Sequence, residues 1–227
     1  MFTLIPTISA SGKLLPMQAV YFGKGGGSLP NVKASSYAEA MHLRFKLKLS
    51  KLGTYWSTQQ TMWELVDKIV APYFDRTKAE LGLPPTQCSL WTIDCWSVHK
   101  SEEFYSWMKT THPTIIISFV PGGCTGLWQP LNVGIQRVLK QSMRHSAHKD
   151  IVAKTVAQLN SGTPAALLKL DTMLGTLRNC LLGWVVKAFE DINRPDLILK
   201  VSFLLSAVSL MSLIQNIFTG LRDVLSW

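Results

Sequence analysis

The chain has 227 residues, 47% of them apolar and 16% charged, with 23 Lys or Arg against 14 Asp or Glu. That length fits one large domain or one domain with appendages, and eight Trp with nine Phe at such low charge density exclude a disordered chain. Cys88, Cys95, Cys124 and Cys180 are too few and too scattered for a secreted disulfide framework, and no CxxC pair offers a zinc knuckle, so they read as reduced intracellular thiols.

The net charge of +9 is concentrated early: residues 1–50 hold six Lys or Arg and one acid. A basic balance points to an anionic partner, nucleic acid or a membrane surface, or serves solubility alone. The opening FTLIP has neither a charged leader nor a long apolar run, so no cleavable address is visible.

FTLIPTI (2–8) and LLPMQAVYF (14–22), parted by Ser-Ala-Ser-Gly-Lys, predict a hairpin. Leu43, Phe45, Leu47 and Leu49 alternate with Arg44, Lys46 and Lys48, which predicts an antiparallel strand over 42–49 with one basic, solvated face. Met62, Leu65, Val66, Ile69 and Tyr73 recur at helical spacing after Thr58, a suitable cap, and Pro72 is expected to kink that helix.

SLWTID (89–94) is a buried strand, Ser101-Glu-Glu-Phe opens a helix, and TIIISFV (114–120) is a second buried strand, which together make a parallel βαβ unit. Helices follow at about 131–160, 164–191 and 195–221. The uncharged run from Val201 to Leu221 is long enough to span a bilayer, but its polar residues recur every three or four positions, which favours an amphipathic helix packed on the domain or a partner. Hairpin, βαβ and helices in that order predict a mixed α/β sheet.

In open α/β sheets the chemistry gathers at the carboxyl ends of strands, which singles out Asp94. An acid there caps a turn, pairs with Lys100, or binds a cation. His99 reads either as a loop histidine or as a neighbour of that site. Asn132 opens the long helix, where it caps the helix or joins the site. Arg137, Lys140, Arg144 and His148 share one helical face, either simply solvated or a track for a phosphate backbone. Cys95, His99 and Cys124 lack an evident fourth zinc ligand. No phosphate loop or nucleophile elbow is present.

The blocks LLPMQAVYFGK, YWST, PPTQCSLWTIDCWSVHKSEEFYSWM and TIIISFVPGGCTGLWQPLNVGIQR, with the helix after them, resemble the DDE superfamily endonuclease domain, most closely the pogo-like, transposase-derived group related to centromere protein B. The likeness runs from about residue 3 to about residue 200. It implies an RNase H-like mixed sheet flanked by helices, N-terminally truncated, as a core over 1–160, with a helical C-terminal extension over 161–227.

The resemblance also implies three acids holding two Mg²⁺ or Mn²⁺ ions for DNA cleavage. Asp94 matches the second acid and metal ligand, and Asn132 stands where the third acid is expected, with His99 and Gln129 beside them. The first acid belongs on a strand upstream of FTLIPTISASG, yet residues 1–38 hold no Asp or Glu. The resulting expectation is an intracellular, nuclear protein that binds DNA through Arg44, Lys46, Lys48, Arg137, Lys140 and Arg144, holds metal weakly or not at all, and is catalytically impaired. A free sheet edge is expected to favour self-association. Two alternatives stay open: an active nuclease completed by another chain, or an interaction protein with an amphipathic or membrane-leaning tail.

Overall fold

A computed structural model describes residues 2–124, 126, 129 and 131–202. Strand β1 (Phe2–Ile5) pairs antiparallel with β2 (Gln18–Tyr21), Phe2 opposite Tyr21 and Ile5 opposite Gln18, and the bridge between Ile8 and Leu14 extends the hairpin. The chain then crosses over through α1 (Tyr37–His42) to β3 (Lys46–Leu49), which pairs with β2 in parallel. Residues 42–49 therefore do not form the long antiparallel strand that their alternation suggests. A helical crossover delivers the next strand in the same direction, whereas antiparallel neighbours are joined by short turns. Arg44 sits in the left-handed region, φ 60°, at the helix-to-strand joint.

A capping box formed by Thr58 and Thr61 starts α2 (Gln59–Leu65). A π-helical turn over Val66–Val70 then leads into α3 (Ala71–Glu80), where Pro72 occupies the first turn. Proline lacks a backbone N–H, so placing it after a widened turn costs no regular helical bond.

Next comes the expected βαβ unit: β4 (Ser89–Ile93), α4 (Glu102–Thr111) capped by the Ser101 hydroxyl, and β5 (Ile115–Phe119), parallel to β4. After a π-helical turn, Leu131–Ile135, run α5 (Gln136–Asn160), α6 (Leu174–Ile192) and a helical segment at 195–202. Helix α6 begins later than its composition suggests, because 168–173 is extended or irregular after a short 3₁₀ turn at Ala165–Leu167. The expected tail helix falls mostly beyond residue 202, outside the described residues.

Among the described residues the strands form two hydrogen-bonded sheets, β1-β2-β3 and β4-β5, rather than one. Two cores hold them. In the first, Met17, Phe45, Ile135 and Leu139 pack against Leu182, Val185 and Phe189 of α6 and Ile198 of the last segment, with Phe2 and Leu4 joining from β1. In the second, Leu65, Val66 and Ile69 meet Trp91 and Ile93 of β4, Phe104 and Met108 of α4, and Ile5 from β1. Each such side chain contributes about 1.5–3 kcal/mol when buried. Two glycines permit close approach. A Cβ on Gly134 would lie 2.4 Å from Val201, and one on Gly12, which is also at φ 85°, would lie 2.7 Å from Leu199. Both seat the 195–202 segment, one of them two residues from Asn132.

Candidate functional site

Strand β4 carries apolar residues on its helix-facing side and ends at Asp94, whose side chain is 41% exposed. The following turn folds back, so that His99 Nδ1 lies 2.8 Å from Asp94 Oδ1 and 3.2 Å from the Asp94 carbonyl oxygen. Both partners are acceptors, so Nδ1 carries the proton and donates to them. The His99 side chain is 11% exposed, held edge-on to Trp96 at 5.4 Å and tilted on Phe104 at 6.2 Å. Its Nε2 has no hydrogen-bond partner among the described residues. Asp94 thus pairs with His99, not Lys100, and His99 is buried with its ring fixed against that carboxyl.

The hydrogen bond from His99 holds the Asp94 carboxyl below the usual carboxylate range, and partial burial opposes it. A lowered carboxylate pKa contributes stability that is present above the unfolded value, about 3.9, and is lost as pH falls through the folded value. Removing the donor by His99→Ala leaves burial less opposed and moves the Asp94 titration midpoint upward. Carboxyl ¹³C shifts across pH 2–6 measure it, and an unmoved midpoint would detach His99 from the carboxylate.

Asn132 lies in the π-helical turn that heads α5, its Nδ2 donating to Gln129 Oε1 and its backbone N–H to the Gln129 carbonyl at 2.9 Å. It opens onto a groove of about 610 Å³, whose other lining residues are Gln136, Arg137, Lys140, Gln141 and Arg144. The helical spacing read from the sequence does bring Arg137, Lys140 and Arg144 together, and Asn132 with them. Asp94 is not part of that lining. Among the described residues the groove is lined by three cations, three amides and no acid.

The second predicted basic surface departs from expectation. Lys46 and Lys48 are half-buried, and Lys48 Nζ pairs with Glu64 of α2 at 2.5 Å, so this side of β3 is covered by a helix rather than solvated. Arg44 alone is exposed, on the joint preceding the strand. Sequence reasoning also missed an aromatic row, Tyr55, Trp56 and Trp96, reaching His99. Its signal was present in the adjacent aromatics of YWST and the Trp of DCW.

A parallel βαβ unit that delivers a carboxylate at its open end, followed by a long helix headed by a polar turn, defines a nuclease-like α/β domain. The DDE superfamily endonuclease domain matches residues 5–198, and the chain belongs to that transposase-like family, with the pogo-like group consistent with it. No curated protein and no solved structure matches.

Nucleases of this family act on DNA with divalent ions. The donors here do not fit a two-ion centre. Asp94 supplies one carboxylate, one of whose oxygens is engaged by His99. Asn132 supplies an amide beside three cations, and no three His, Cys, Asp or Glu side chains gather among the described residues. A hard cation gains far less from an amide than from a carboxylate. The four cysteines are free thiols.

Proposed function

We propose that this chain is a transposase-derived DNA-binding domain of the DDE endonuclease family that does not cleave DNA by itself. The observation that carries the reading is the groove beside Asn132: where the resemblance expects an acid there is an amide, flanked by Arg137, Lys140 and Arg144 with no acid among the described lining residues. A pocket built for a cation concentrates carboxylates, whereas one lined by guanidinium and ammonium groups attracts phosphate oxygens. The stripe along α5 is spaced to follow a phosphate backbone, and its work with DNA would lie in the nucleus.

Such binding is sequence-independent and acts by counterion release. Changing Arg137, Lys140 and Arg144 together to Gln lowers duplex affinity and reduces the slope of log K against log salt by about one per lost contact, up to about three. Fluorescence anisotropy on a labelled duplex between low and physiological salt measures both. Unchanged affinity and slope would remove this face from the reading.

A second reading, in which another copy or chain completes the domain, draws on the sheet edges. β1 and β4 each have one hydrogen-bonded neighbour among the described residues, and Leu90 and Ile116 lie exposed side by side on the β4-β5 sheet. Unpaired edges with apolar neighbours favour strand addition and self-association.

A further inference from the structure

We infer that the row Tyr55, Trp56 and Trp96 is a stacking platform for the unpaired bases of a single-stranded DNA segment passing beside Asp94. This rests on the DNA-binding reading above and adds to it the strand state that the Asp94 end of the domain takes. The rings of Tyr55 and Trp56 are 5.3 Å apart and within 24° of parallel, and Trp56 is 6.3 Å from Trp96. Trp96 in turn meets His99, which holds Asp94. The row is therefore continuous with the family's acid position.

Trp56 is 54% exposed, yet its backbone is not loose. Ser50 Oγ donates to the Leu52 and Thr54 carbonyls, Thr3 Oγ1 donates to the Tyr55 carbonyl at 2.8 Å, and Thr58 caps α2 two residues on. Tyr55 stacks on one side of this indole, and the part of the ring held out to water from the pinned loop is what a base would meet. Nothing in the first or second core requires it there, since neither contains it.

An aromatic face suits any base, so the platform is sequence-tolerant, and it selects unpaired bases because a duplex hides theirs. Lys51 and Lys100 are exposed at either end of the row in sequence, while Glu102 and Glu103 lie just beyond Lys100. On this proposal stacking, rather than counterion release, supplies the attraction at the row.

The test uses the full chain with a labelled oligo-dT of 16 nucleotides, a duplex of the same length and oligo-rU of the same length. Trp56→Ala is expected to weaken oligo-dT binding about 10-fold, with the salt slope and duplex affinity unchanged. Trp56→Phe keeps a ring and is expected to retain most of the affinity, and circular dichroism of both variants confirms that the fold persists. Tyr55→Ala gives a second, smaller loss.

Oligo-dT affinity within twofold of the parent in Trp56→Ala overturns the platform, as does an equal loss on single strand and duplex, or Phe performing no better than Ala. Tighter binding of oligo-rU than oligo-dT overturns its assignment to DNA. If the parent binds neither single strand nor duplex, the DNA-binding reading falls and the platform with it. Duplex binding that depends on Arg137, Lys140 and Arg144, without any ring dependence on oligo-dT, leaves that reading standing and removes only the platform.

Discussion

Phe104→Ala lowers the unfolding free energy by about 3–5 kcal/mol, the range for truncating a buried aromatic where the site collapses incompletely. Phe104 is 0% exposed on α4, and its ring stands 6.5 Å from Trp91 of β4, 6.1 Å from Trp107 and 6.2 Å from His99. It joins the helix to the strand that ends at Asp94 and backs the histidine that holds the carboxylate. Its loss takes a large share of a typical domain's total of about 5–15 kcal/mol. Urea denaturation measures it, with Phe104→Leu as the control that keeps apolar volume and costs less. A destabilisation below about 1 kcal/mol for Phe104→Ala would show that α4 is not anchored through this ring.

The second large effect concerns charge at Asp94 and Asn132, the positions proposed to match the family's metal-holding acids. Supplied with Mg²⁺ or Mn²⁺, the chain leaves supercoiled DNA intact. Two divalent ions about 4 Å apart repel by about 17 kcal/mol at an effective dielectric of about 20, and closely placed carboxylates are what offset that repulsion. Asp94 brings one negative charge, and Asn132 brings none beside three cations.

Asn132→Asp adds one anion, so single-ion binding strengthens, as calorimetry with Mn²⁺ would read. The new carboxylate also faces Arg137, Lys140 and Arg144, which compete with the ion for it, so the gain is larger when those three are Gln. Cleavage stays absent in both backgrounds, because two carboxylates remain short of three. Metal-dependent cleavage by the unaltered chain, abolished by Asp94→Ala, would show a site that Asp94 completes with residues other than Asn132 and would overturn the non-cleaving reading.

The βαβ unit was legible from sequence alone. SLWTID and TIIISFV are apolar runs too short for helices, and Ser101 followed by two acids is a helix start, so strand, helix, strand and the carboxylate at the end of β4 follow from local chemistry. The basic stripe on α5 was equally legible, because positions three and four apart in a helix share a face whatever surrounds it. The family, too, was legible in the linear sequence, and its model matches residues 5–198.

Tertiary structure decided what depends on residues far apart in the chain. Alternation over 43–49 marks two faces of a strand, but the direction of pairing is set by the crossover through α1, which made β3 parallel to β2. Likewise, whether Lys46 and Lys48 meet water depends on where α2 lands, and it brings Glu64 onto Lys48. His99 was ambiguous as a loop residue because its partner is fixed by the turn's fold, not by spacing. The aromatic row comes from two loops separated by more than a helix, so no local pattern aligned it. Local propensity and periodicity act over a few residues, whereas pairing, burial and the electrostatics of a carboxylate are sums over neighbours that only the folded chain brings together.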